Sequence, residues 1–235
     1  MKLKDAVVFV TGANRGLGRQ FALRALELGA KKVYAAARDP QRIAIPGVIP
    51  VRLDVTRPED IAAAAAQCHD ATLLINNAGI ADSRPLLSME AEAALTAEME
   101  VNLFGPLRVS RAFAPVLGAN GGGAIINVLS VASWINSPIL ATYGISKAAA
   151  WSLTNGLRQA LLEQKTQVLA LHVGFIDTDL TRQLEVPKAA PLDVVNATFQ
   201  GLEQGASEVL ADEITRRVHD GFSAHPEVYL QAISR

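Results

Sequence analysis

Alternation constrains the fold of this chain more than any other feature. Short apolar runs at 6–11, 32–37, 48–53, 72–75, 123–128, 167–173 and 208–211 are separated by longer stretches with helical character. Strands this apolar are buried on both faces of a sheet, and strands joined through helices pair in parallel. Helices are expected at 16–28, 57–68, 90–117, 143–163 and 192–204. Gly29 stops the first. Thr56 is expected to cap the second, with Pro58 in its first turn. Gly105-Pro106 is expected to bend the third, since proline cannot complete an interior hydrogen-bond ladder. No internal repeat, linker or composition break divides the chain. The expected fold class is α/β: a single domain over 1–235, a doubly wound parallel sheet of about seven strands with helices on both faces.

Composition excludes several classes of function. Lys and Arg number 22 against 23 Asp and Glu, so no nucleic-acid footprint or membrane-surface patch is expected. No apolar run approaches the ~18 residues of a membrane span. The N-terminal MKLKDAVVFV lacks the apolar core and cleavage site of a signal peptide. The lone Cys68 excludes an internal disulfide and fits a reducing compartment, so a cytoplasmic protein is expected. His69, His172, His219 and His225 are scattered without metal-ligand spacing, so no metal is expected, and His172 reads as a core residue. No G-x-S-x-G nucleophile elbow is present.

In a doubly wound sheet, ligands sit at the carboxyl ends of the strands. The first strand runs into Thr11-Gly12-Ala13-Asn14-Arg15-Gly16-Leu17-Gly18. Glycines there permit a tight strand-to-helix turn and let backbone approach a pyrophosphate at a helix N-terminus. The spacing is G-x-x-x-G-x-G, and an ordinary βα turn is its rival reading. The second strand ends in Ala36-Ala37-Arg38-Asp39, where an NAD-binding unit carries an acid for the ribose hydroxyls. Ala37 cannot bond them, whereas Arg38, with Arg15, can grip a 2′-phosphate. NADP(H) is favoured; two solvated arginines are the plain alternative, and Asp39 leaves NAD open. Asp54 ends the third strand, placed to accept from an adenine amino group or to cap a turn.

Tyr143 and Lys147 form an i, i+4 pair on one helix face, and Ser130 ends the fifth strand. A lysine cation beside a phenol favours the phenolate, so Tyr143 is expected to trade a proton nearer neutral pH than free tyrosine. The Ser130 hydroxyl falls on the ligand side of the sheet, able to stabilise a developing alkoxide. Ser133 is its rival.

These pieces, with Asn76-Asn77-Ala78-Gly79 and Asn102, stand in order along nearly the whole chain, which resembles the short-chain dehydrogenase/reductase family. The resemblance implies a Rossmann-type sheet, a nicotinamide cofactor and a catalytic set of Asn102, Ser130, Tyr143 and Lys147. Tyr143 would be the general acid/base and Ser130 the partner of the substrate oxygen. Lys147 would lower the tyrosine pKa and bind the nicotinamide ribose, and Asn102 would hold a relay water. The implied cofactor-binding set is Gly12, Asn14, Arg15, Gly16, Leu17, Gly18, Arg38, Asp54, Val55, Asn77, Ala78, Gly79, Tyr143, Lys147, Gly174, Ile176 and Thr178. Val131, Trp134, Ile135, Ile139, Leu140, Phe175, Leu180 and Leu184 are the expected substrate pocket, apolar and suited to a neutral ketone or alcohol. Two departures stand out: Val173-Gly174 replaces the family's Pro-Gly, and a polar tail replaces a glycine-rich tetramer contact. A homodimer or homotetramer is expected, with 90–117 and 143–164 pairing across a two-fold. The leading function is an NADPH-dependent carbonyl reductase or alcohol dehydrogenase. A non-catalytic NADP(H)-sensing regulator on the same fold is the alternative.

Overall fold

The structure, a computed structural model, describes residues 1–179, 181–183 and 185–224. Leu180, Leu184 and His225 lie outside the described residues. Seven parallel strands form one sheet in the order β3-β2-β1-β4-β5-β6-β7. They are β1 (Val7–Thr11), β2 (Lys32–Ala37), β3 (Ile49–Arg52), β4 (Leu73–Asn76), β5 (Ala124–Val128), β6 (Gln167–His172) and β7 (Glu208–Leu210). The helices are α1 (Gly16–Glu27), α2 (Pro58–Gln67), α3 (Ala91–Met99), α4 (Gly105–Ala119), α5 (Ala141–Ala160), α6 (Pro191–Glu203) and α7 (Glu213–Ala224).

Side chains alternate across each strand, so successive residues feed two different cores. Val8 and Val10 of β1 join Phe21 of α1 and Phe199 of α6 on one face. Val7 and Phe9 join Phe113 and Leu117 of α4 on the other. Phe21 meets Phe199 at 5.5 Å edge-on, and Phe9 meets Phe113 at 4.5 Å, which anchors one helix layer on each face. The strand order reverses between β1 and β4, so the ends of these two strands open a crevice. The glycine turn follows β1, Asn77 follows β4, and Ser130 lies just beyond β5, all at this carboxyl edge.

Three places show local structure that the sequence does not spell out. The long third helix is interrupted directly before Gly105-Pro106 by a π-helical segment, Glu100–Phe104, where the Gly105 N–H reaches back to the Glu100 carbonyl. Pro106 then sits in the first turn of α4, where its missing N–H is harmless. Thr56 does not cap α2; its hydroxyl and its N–H both donate to Asp54 Oδ1, at 2.7 and 3.0 Å. The polar tail expected after β7 contains α7, which packs Ile214 and Val218 against Val131, Trp134 and Ile135. Among the described residues, no helix is long and apolar enough to cross a membrane.

Candidate active site

The glycine turn is built for close approach. Gly12 and Gly16 hold φ of +67° and +54°, a region that L side chains rarely adopt. Arg15 is the N-cap of α1 but gives its first turn no side-chain hydrogen bond, and no acid lies in that turn. The helix N-terminus therefore presents free N–H groups and the positive end of its dipole, which suits a pyrophosphate. Thr11 Oγ1 accepts the N–H groups of Asn77 and Ala78, both at 3.0 Å. Asn77 Nδ2 donates to the carbonyls of Thr11 (2.9 Å) and Gly12 (3.3 Å). The segment after β4 is thus stapled to the glycine turn, and Gly79 is exposed beside it. Thr178 faces Gly16 from the loop after β6. That loop is pinned by the Gly174 N–H, which donates to Asp212 Oδ2 at 2.5 Å, and by a bridge between Ile176 and Ala189. Leu17, Val55 and Ile176 are buried.

At the end of β2, Arg38 and Asp39 are both exposed. Asp39 is already engaged, accepting from the Gln41 N–H at 3.2 Å and pairing with Arg42 at 3.3 Å. Arg38 has the charge to act on Asp54. Burial pushes the Asp54 carboxyl up, but hydrogen bonds from the Thr56 N–H and hydroxyl, then the charges of Arg38 and Arg57, hold it below its ordinary range. Arg15 makes an exposed pair with Asp179 at 3.5 Å, and such pairs are weak enough to be exchanged for a ligand phosphate.

Ser130, Tyr143 and Lys147 converge where β5 meets α5. Ser130 Oγ accepts the Ala132 N–H at 3.1 Å, which leaves its proton to donate outward. Ser133, its rival, has its oxygen turned back to the Ser130 N–H at 3.4 Å, closing a capping box. Lys147 is buried, and its Nζ donates to the Val128 carbonyl at 2.8 Å while lying 5.7 Å from the Tyr143 ring centre. The expected lowering of the tyrosine pKa is not met in the free protein. Burial pushes the Tyr143 phenol up to about 12, against a hydrogen bond with Ser130 that pulls it down, and the Glu98 charge adds to the rise. Burial also pushes the Lys147 ammonium down to about 8, so each group favours its neutral form more than in water.

Asn102 sits in the π-helical segment with its side chain making three hydrogen bonds. Its Oδ1 accepts the Ile80 N–H (2.9 Å), and its Nδ2 donates to the Ile80 carbonyl (2.8 Å) and to Ser146 Oγ (2.9 Å). The amide oxygen keeps one lone pair beyond these bonds. A cavity of about 10 Å³ lined by Asn102, Lys147, Asn76 and Asn127 has room for about one water.

Several contributors carry weak sequence signals. Ser146, beside Lys147, accepts from Asn102 and donates to the Tyr143 carbonyl at 2.8 Å, tying the π segment to α5. Asn76 Nδ2 donates to Asn127 Oδ1 at 2.8 Å, and Asn127 Nδ2 donates to Thr154 at 3.0 Å, a buried polar chain beneath the site. A polar residue at the same register of two apolar strands is the signal that could have found that chain.

The expected substrate pocket divides. Val131, Trp134 and Ile135 pack with α7. Trp134 stacks on the fully buried His172 at 4.0 Å and meets Trp151 edge-on at 6.3 Å, so their shared surface is a structural cluster. Ile139, Leu140 and Phe175 remain partly or largely exposed near the opening. Among the described residues no group of His, Cys, Asp and Glu is arranged to hold a metal ion.

A family profile described as short chain dehydrogenase matches residues 6–188. The chain belongs to the short-chain dehydrogenase/reductase family. This is a family of oxidoreductases, and its Rossmann-type sheet is the one described above. Its structure matches that of a short chain dehydrogenase from Burkholderia cenocepacia J2315 in complex with NADP, at a TM-score of 0.95, 40% identity and full coverage of both chains. A short chain dehydrogenase/reductase from Burkholderia phymatum in complex with NAD is 25% identical, with a TM-score of 0.84 over 95% of this chain and 96% of that one. The short chain dehydrogenase tazN of Aspergillus terreus is 34% identical over 208 residues. Those residues are 81% of this chain but only 45% of tazN, so this chain spans about half of that relative's length.

Proposed function

We propose that the protein transfers a hydride between NADP(H) and a carbonyl or secondary alcohol, with a neutral apolar ketone as the favoured substrate. The observation that carries this reading is the convergence of a donor-ready Ser130 hydroxyl, the Tyr143 phenol and the buried Lys147 at the carboxyl edge of the sheet. A bound nicotinamide dinucleotide supplies the hydride. The free N–H groups of α1 and the glycine turn would hold its pyrophosphate. Arg38 and Arg15 would take the 2′-phosphate, a reading supported by Asp39 being tied to Arg42 and Gln41. Asp54 keeps lone pairs for the adenine amino group. Lys147 would bind the nicotinamide ribose by exchanging its bond to the Val128 carbonyl.

Ser130 donates to the substrate oxygen and holds it beside Tyr143. A phenol with pKa near 12 stays protonated at neutral pH, so Tyr143 is ready as the general acid for carbonyl reduction. Ile139, Leu140 and Phe175 offer apolar surface to the substrate body, and among the described residues of this apolar set there is no cation to grip a carboxylate or phosphate. One domain would carry both cofactor and substrate sites. An apolar groove of about 530 Å³ along α4 and α5, bordered by Leu107, Pro115 and Leu157, supports a homodimer paired through these helices. The buried Cys68, whose thiol burial pushes up to about 12, is consistent with a cytoplasmic protein.

Tyr143→Phe keeps the ring and removes the proton. Turnover of ketones with NADPH should fall at least ~10²-fold while cofactor binding survives. Near-parental single-turnover rates in that variant would refute the acid/base assignment. A parent protein that binds NADPH yet turns over no carbonyl would favour a sensing role.

A further inference from the structure

Asp212 stands between β7 and α7, and the proposed chemistry does not use it. Its two carboxylate oxygens serve different parts of the chain. Oδ1 accepts the Thr215 N–H at 2.9 Å, and the Asp212 N–H donates back to Thr215 Oγ1 at 3.3 Å. This reciprocal pair caps the start of α7 and satisfies two backbone donors. Oδ2 points away from the helix. It accepts the Gly174 N–H at 2.5 Å, from a residue 38 positions away in the chain. A helix cap needs only one side-chain oxygen. The second holds the loop after β6.

The peptide between Val173 and Gly174 is gripped at both of its polar ends. Its carbonyl accepts the Val131 N–H at 2.8 Å, from the turn directly after Ser130. Its N–H goes to Asp212. Gly174 leaves no room for a side chain: a Cβ there would lie 2.3 Å from Ile214 Cγ2 and 3.2 Å from Asp212 Oδ1. Ile214, on α7, packs in turn with Val131, Trp134 and Ile135. Farther along, the same loop crosses the glycine turn. A Cβ on Gly16 would lie 3.5 Å from Thr178, and Asp179 pairs with Arg15 at 3.5 Å. The bridge from Ile176 to Ala189 ties the loop to the start of α6. Its link to the Ser130 turn runs through Val131 and Asp212.

We propose that Asp212 is a positioning residue for the cofactor: through the Gly174 N–H it fixes where the 174–179 loop lies across the glycine turn, and it registers that loop against the turn that carries Ser130. This rests on the reading of the glycine turn as a nicotinamide dinucleotide site. A backbone N–H bonded to a carboxylate is charge-assisted and stronger than the neutral bonds that hold most loops. α7 is then a working part of the site, because its cap holds the loop and its apolar face holds the Ser130 turn.

Two substitutions separate the two duties. Serine caps a helix about as well as aspartate but offers a single oxygen, so Asp212→Ser keeps the cap of α7 and releases Gly174. Thr215→Val does the converse. It removes the hydroxyl that accepts the Asp212 N–H and donates to the Asp212 carbonyl at 2.9 Å, and it leaves the carboxylate on Gly174. Amide hydrogen exchange is read first, in the protein without cofactor. In Asp212→Ser, exchange over 173–179 should quicken by roughly tenfold while α7 exchanges as in the parent, since a hydrogen bond to a charged group is worth about tenfold or more in an equilibrium. The Kd for NADPH, followed by cofactor fluorescence, should rise several-fold, and kcat at saturating NADPH should change far less. Thr215→Val should lower Tm and leave both the loop exchange and the Kd at parental values. Unchanged exchange over 173–179 in Asp212→Ser would overturn the proposal. So would a parental Kd in that variant, or an equal rise of Kd in Thr215→Val, either of which would leave Asp212 a stabilising cap only. The parent's own titration reports whether NADPH binds, and the exchange is read without cofactor. Failure of this inference and failure of the cofactor reading are therefore distinguishable.

Discussion

Replacing Gly18 with alanine tests how tightly the glycine turn is closed. Gly18 lies in the first turn of α1, where helix propensity alone favours alanine by ~0.8–1 kcal/mol. The surroundings oppose it. A Cβ at this position would lie 2.3 Å from the Gly12 carbonyl oxygen and 2.5 Å from Asn77 Nδ2. The first is backbone and cannot rotate away, and Gly12 is already held at φ +67°. The second is fixed by its bonds to the Thr11 and Gly12 carbonyls. Overpacking of this kind costs ~1–3 kcal/mol, and losing an Asn77 hydrogen bond adds ~0.5–1.5 kcal/mol. Against the propensity gain, the net loss should be about 1–3 kcal/mol. For a chain of this size each kcal/mol lowers Tm by ~2–4 °C. Gly156→Ala is the control. Nothing lies within 4 Å of its added Cβ on the exposed side of α5, so it should stabilise by ~0.5–1 kcal/mol. Thermal melts of both variants without cofactor, beside an NADPH titration, give the comparison. A Gly18→Ala protein as stable as the parent, binding NADPH equally well, would show that the turn has slack and that the packing argument is wrong.

Two further outcomes are expected. Arg38→Asp should weaken NADPH by ~1.5–3 kcal/mol and relatively favour NADH; equal kcat/KM with both cofactors in the parent would remove the basis for this. Lys147 carries a folded-state pKa of about 8, below its ordinary 10.5, so the folded state binds its proton less tightly than the unfolded chain does. The burden of burying the charged amine is therefore full below pH 8 and is relieved as pH rises from 8 to 10.5, by on the order of 3 kcal/mol at most. Tyr143, raised to about 12, works the other way above pH 10, where the unfolded phenol ionises first. Urea denaturation at pH 7.5 and pH 10 should show any stability advantage of Lys147→Met shrinking with pH; a constant difference would contradict the linkage.

Much of the fold was legible because burial on both faces makes parallel strands continuous apolar runs, and such runs need no partner to be recognised. The glycine turn, Ser130, Tyr143 and Lys147 were legible because each lies just after a strand or on one helix face, where spacing determines placement. What escaped is what depends on distant partners. Asp54 takes the Thr56 hydroxyl that was expected to cap α2. The π segment carries Asn102, held by Ile80 and Ser146, and spacing within 90–117 cannot show those distant partners. Trp134 reads as a pocket residue until α7 is seen to cover it. The spacing of Tyr143 and Lys147 shows their proximity but not the burial that pushes the phenol up and the ammonium down in the protein without cofactor.

The amide pair of Asn76 and Asn127 has a consequence for how the sheet assembles. The two residues stand at matched positions of β4 and β5, 51 residues apart in the chain. A slip of one residue between these strands would send one amide to the opposite face of the sheet. The bond between them would be lost and the displaced amide parted from its partners, at ~1–3 kcal/mol for a stranded group, while the other amide keeps only Ser110 or Thr154. An otherwise apolar strand pair accepts several registers almost equally well; this one has a single register that satisfies its interior. The strands leading to Asn77 and Ser130 are thereby held in step from within the sheet, so the two halves of the crevice are aligned before any ligand arrives.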